Sequence, residues 1–262
     1  MPSPIDVLLD PVSLAMFGLY AALMLWEYLA PARPLPVSPA WRARGLLAFA
    51  AYFALSTYLP LLWAGYLAPL QLFDLQHLPA WAGAAIGVLV YEAVGYAYHR
   101  AMHASDRLWR ILHQMHHSAE RLDTYGAFWF HPLDMVGWTA VTSLALTVVV
   151  GLSPAATTAA LLVVTFLTIF QHANLRTPRW LGYVVQRPES HSWHHARGHH
   201  RDNYADLPLI DILFGTFHNP RDFAPAAGFY DGASMRVGEM LRFRDVAGAP
   251  RGTAVSAPVR AA

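Results

Sequence analysis

Eleven of the fourteen histidines lie in two stretches, residues 99–131 and 191–200, and His172 ends a long apolar run. The first stretch holds His99 and His103, then His113, His116 and His117, then His131 before Pro132. The second holds His191, His194 and His195, followed by His199 and His200. A helix turns once per 3.6 residues, so His99 and His103 share a face. The same periodicity predicts that each of the triplets 113/116/117 and 191/194/195 projects from one face. A lone histidine on an apolar segment is usually a hydrogen-bonded core residue. Repeated clusters would each need their own set of buried partners, so the pattern points instead to transition-metal ligation. Zinc-type sites take three or four protein ligands, so nine or ten clustered histidines imply two metals. Neutral imidazole suits iron, copper, nickel and zinc alike, and ligand type leaves the metal open.

The elements that carry these residues are apolar. Hydrophobic residues make up 55% of the chain and charged residues only 13%, about half the share in a soluble domain. Cysteine is absent, which excludes disulfides and thiolate sites. Lysine is absent too, and the net charge of +1 gives no basis for nucleic-acid binding. Spanning a hydrocarbon core takes about 20 apolar residues. Val12–Ala30, Leu46–Phe73 (with a kink expected at Pro60) and Pro79–Tyr98 meet that requirement. Met135–Gly151 and Ala155–Phe170 form two shorter arms joined at residues 151–154, a hairpin whose ends emerge on one side.

Orientation follows from the arginines. Arg33, Arg42 and Arg44 separate the first two spans, and the other fifteen lie after the third span and outside the hairpin. The positive-inside rule places 31–45, 99–134 and 171–262 in the cytoplasm and the N-terminus outside. Every histidine except His77 then falls on the cytoplasmic side. The expectation is an all-α integral membrane bundle, three long spans plus a helical hairpin, with a cytoplasmic histidine-rich helical cap, in a membrane such as the bacterial inner membrane. Residues 1–245 read as one domain, and 246–262, rich in Ala, Gly, Pro and Arg, as a disordered tail.

From Tyr91 to Phe217 the sequence resembles the fatty acid hydroxylase/sterol desaturase superfamily of membrane non-haem di-iron enzymes. The resemblance rests on Glu92 and Tyr96, His99-Arg100…His103, His113-x-x-His116-His117 and His131-Pro132-Leu133-Asp134. It continues through Gln171-His172-Ala173-Asn174, His191-x-x-His194-His195, Asn203-Tyr204 and Asp211…Phe214-Gly215-Thr216. It implies two irons that activate O2 against a C–H bond of a lipid, giving hydroxylation or, in some members, desaturation or ether cleavage. The ligand set it implies is His99, His103, His113, His116, His117, His131, His172, His191, His194 and His195. His199 and His200 lie outside the general pattern. With no flavin, haem or iron–sulfur motif in the chain, electrons are expected from a separate ferredoxin, cytochrome or reductase.

Other residues have quieter expectations. Glu92 lies two turns before His99, on the same face, and is expected to hydrogen-bond a ligand histidine, with a plain interhelical hydrogen bond as the alternative. Asn174 and Asn203 are candidates to orient ligands, with capping or turn roles as the alternative. Glu27 is expected to be solvated at the interface, and the aromatic run Tyr125, Phe128, Trp129 and Phe130 to anchor there, with a lipid tunnel as the alternative. Asp211–Thr216 is expected to form a turn under the metal site. The contrasting reading, a non-enzymatic metal-binding or transport protein, would need histidines along a path across the bilayer.

Overall fold

The computed structural model describes residues 1–248. It is all-helical among those residues, apart from one isolated antiparallel bridge between Ala196 and Ala227. Five helices are long and apolar enough to cross a membrane. After a short α1 (Pro4–Leu9) come α2 (Pro11–Leu29), α3 (Trp41–Leu67, extended by a 3-10 turn to Leu70) and α4 (Ala80–Ala104). The hairpin is α7 (Pro132–Ser143, continued by a π-turn to Val149) and α8 (Pro154–His172). Its arms have 18 and 19 residues, ~27 Å each at helical rise, which nearly matches a ~30 Å hydrocarbon core. The hairpin is therefore not short. Pro60 sits inside an unbroken α3.

The remaining elements form the cap: α5 (Asp106–Leu108), a π-turn (Trp109–His113), α6 (Gln114–His117), α9 (Pro188–His194), α10 (Pro208–Phe214) and α11 (Val237–Met240). In the bundle α4 packs along α8, and α3 along α7. The small residues of α4 permit this approach: a Cβ on Gly87 would meet Leu152 and Leu146 of the hairpin. The aromatic run is not an interfacial anchor. Phe128, Trp129 and Phe130 are buried in the core, where Phe128 stacks on Tyr52 and Trp129 packs on Trp41.

Glu27 departs from expectation as well. It is 8% exposed, and its Oε2 accepts from Thr124 N, Thr124 Oγ1 and Asn174 N at 2.8, 2.7 and 3.0 Å. A carboxylate at a helix end that three donors converge on has no need of interfacial water. It ties α2 to the cap. The tail expected from Val246 falls mainly on 249–262, outside the described residues; Val246 itself is buried, its amide donating to Gln114 Oε1.

Candidate metal centre

Nine histidines converge at one end of the bundle, in two groups. His99, His103, His113, His117 and His194 form one; His116, His172, His191 and His195 form the other. Within each group one ring nitrogen per residue lies within 4.8 Å of all the others. The boxes do not project from single faces as the periodicity predicts. Each is shared: residues i and i+4 serve one group and i+3 serves the other. At 100° per residue, i+4 stands 40° from i while i+3 stands 60° away on the opposite side. His116 and His117 are thus turned apart, and the α6 and α9 boxes exchange their middle rings.

The protein fixes the rings from behind. The Nδ1–H groups of His99, His103 and His194 donate to the carbonyls of Tyr204, His200 and Asp202 at 2.7, 2.9 and 2.6 Å. His172 Nδ1–H donates to Thr168 O at 2.6 Å. His113 Nδ1–H donates to the Asp134 carboxylate at 2.8 Å, and both residues are buried. Donation from Nδ1 leaves a lone pair on Nε2, which is the arrangement seen in metal-ligating histidines.

That tautomer tests whether the residues fit a metal. His99 Nε2 and His113 Nε2 lie 3.0 Å apart. Both rings already give their proton outward, so two lone pairs face each other unless a cation sits among them. His103, His117 and His194 each bury an Nε2 without a partner. His172 Nε2 stands 3.1 and 3.0 Å from the Nε2 atoms of His116 and His191. Burial first, and neighbouring imidazoles second, hold His116, His117, His191, His194 and His195 well below the usual histidine range. Rings that resist protonation and aim free nitrogens at one another fit transition metals.

The supporting residues differ from the candidates read in the sequence. Glu92 makes no hydrogen bond with an imidazole. Its Oε2 accepts from Asp206 N and Leu207 N at 2.8 and 3.0 Å. It therefore pins the segment whose Tyr204 carbonyl receives His99. Asp211 pins the same segment by accepting from Tyr204 N and Ala205 N, and Thr216 Oγ1 closes the turn onto it. Asn203, in the left-handed region at φ 52°, donates to the carbonyls of Ser190 and His218 and so braces α9. Asn174 donates to Arg33 O, on the α2 side. The structure sets His131 apart from both groups: its Nδ1 accepts from Leu133 N as the N-cap of α7. His200 stands behind His117, with the two Nδ1 atoms 3.1 Å apart, and His199 pairs with Asp202.

Asp134, read in the sequence only as part of the His131–Asp134 motif, has a role that sequence reasoning missed. It is fully buried, and its second oxygen accepts from Tyr98 Oη at 3.2 Å. A Cβ on Gly137 would collide with that hydroxyl, so the glycine makes room for it. The available signal was an acid in the first turn of an apolar helix, two residues after a proline.

The sequence profile of the fatty acid hydroxylase family matches residues 84–216. No curated protein and no solved structure matches the chain. The matched segment begins in α4 and ends at Thr216. It holds all nine converging histidines together with Glu92, Asp134, Asn203 and Asp211, and it covers just over half of the chain. By that match the chain belongs to the fatty acid hydroxylase family, within the fatty acid hydroxylase/sterol desaturase superfamily.

Proposed function

We propose that the protein is a membrane-bound, O2-dependent lipid hydroxylase with two irons, one in each histidine group. The convergence of five and four imidazoles on two adjacent points carries this reading. Iron bound there would supply O2 activation. In the overall reaction one oxygen atom enters a C–H bond of the lipid and the other leaves as water, consuming two electrons and two protons. The electrons come from a separate ferredoxin, cytochrome or reductase.

The chain's own residues orient and dry the site. Nδ1 donation to fixed carbonyls and to Asp134 sets the ring angles of His99, His103, His113, His172 and His194, and Phe130 packs over His116 at 4.5 Å between centroids. The histidines of both groups are nearly all buried, so bulk water is excluded. Their gathering at one end, with no ladder across the bundle, favours an enzyme over a transporter. The arginines support placing this end in the cytoplasm, beside the N-terminal end of α3.

The test is a comparison of membrane lipids by mass spectrometry with the active protein and with His116→Ala. Gain of one oxygen supports hydroxylation. Loss of two hydrogens assigns a desaturase, and a severed ether assigns cleavage. Identical lipid profiles would defeat the oxygenase reading.

A further inference from the structure

A cavity of about 360 Å3 starts at the histidines and runs along the bundle. His99, His113, His116, His172 and His191 wall its near end, and none is more than 6% exposed. Asp10, Val12, Thr57, Thr147 and Thr157 line its far end, where the same helices reach the other membrane face, and these residues are half-buried or exposed. Asp10 and Val12 are the exposed residues of its lining, and both stand at the far end. It is closed at the histidines and open at the opposite face.

On α8 the lining residues Thr157, Leu161, Thr165, Thr168 and His172 follow helical spacing and form one continuous stripe. From Thr157 to His172 the helix rises ~22 Å, well beyond the ~15 Å of one hydrocarbon leaflet. An all-staggered chain advancing roughly 1.3 Å per methylene would fill that length with roughly 16–18 carbons. The wall asks for little polarity. The hydroxyls of Thr139, Thr142 and Ser56 donate to carbonyls within their own helices at 2.8, 2.9 and 3.2 Å.

Charge is unequal between the two ends. Among the described residues every arginine lies at the histidine end, while the far end carries Asp6, Asp10 and Asp74 and no arginine or lysine. An anionic group at the far mouth would face like charge, whereas a neutral or cationic one would not.

We infer that the cavity takes one extended apolar chain, inserted from the membrane face opposite the histidines. Its chain end lies at the metal centre and its neutral or cationic polar end lies at the Asp10 mouth. The consequence for chemistry, oxidation far from the polar end, rests on the oxygenase reading; the binding does not.

Two photoreactive hexadecanols test this, one with a diazirine at the chain end and one with it beside the hydroxyl. Each is incubated with the intact protein in phosphatidylcholine nanodiscs, and labelled residues are identified by mass spectrometry. The chain-end probe should label the histidine pole, at residues such as Thr168 and His116. The head-end probe should label near Asp10 and Thr157. Thr157→Trp and Thr147→Trp narrow the mouth, and each should reduce pole labelling at least tenfold with bound metal unchanged. Hexadecanoate with a chain-end diazirine should label the pole several-fold less than the alcohol. A reversed pattern overturns the proposal, as does labelling confined to outward residues such as Val163. Equal labelling by hexadecanoate overturns the assignment of the polar end. Labelling needs neither metal nor turnover, so the channel and the oxygenase readings can fail separately.

Discussion

His99 Nε2 faces His113 Nε2 at 3.0 Å while each ring's other nitrogen is committed outward, to Tyr204 O and to Asp134. The contact is comfortable only with a cation shared between the rings. Stripping the metal with a membrane-permeant chelator should therefore lower the melting temperature, and iron should restore it. A melting temperature indifferent to chelation would count against this view of the contact.

Asp134 holds His113 as Tyr98 holds Asp134. Asp134→Asn keeps the shape but removes the charge that holds the His113 proton outward. Loss of such a partner typically costs 10–100-fold in affinity or activity. Turnover and iron content, normalised to membrane-inserted protein, should fall together in that range.

The histidines divide into two kinds. His116→Ala and His194→Ala should abolish turnover and deplete iron, because each ring sits among its group's converging nitrogens. His131→Ala should keep iron and cost about 1 kcal/mol of stability or less, as the loss of a helix cap does. His77→Ala and His218→Ala should leave activity and iron near wild type. Loss of iron in His131→Ala would return that residue to the ligand set.

Glu92 works through backbone amides, so its acceptor oxygen matters more than its charge. Glu92→Gln retains a carbonyl oxygen and should keep most activity. Glu92→Ala leaves Asp206 N and Leu207 N without that acceptor in a buried position and should lose activity at least tenfold, with the His99 support loosened. Equal activities in the two variants would contradict this role.

Much of the architecture was legible because bilayer thickness imposes a length on apolar runs. The three expected spans and both hairpin arms appear as helices long and apolar enough to cross a membrane, with boundaries shifted by several residues at Trp41 and Ala104. The histidine boxes were legible by type and spacing as residues able to hold metal, and nine of the ten named histidines do converge. Their division into two groups was not, because it depends on how α6 and α9 face each other in space, which spacing within one helix does not encode. Glu27 illustrates a second limit. Its three donors come from Thr124 and Asn174, far along the chain, so local sequence made it look like a solvated helix end. The role of Asp134 was hidden for the same reason: its partners, Tyr98 and His113, lie on other elements.

The central claim is two metals per chain in an iron-dependent oxygenase. Metal analysis of protein purified anaerobically from iron-replete cells, with activity measured on the same sample, tests it most directly. The account predicts close to two iron equivalents per chain, and loss of activity as iron is removed. A single zinc per chain supporting full activity would contradict it.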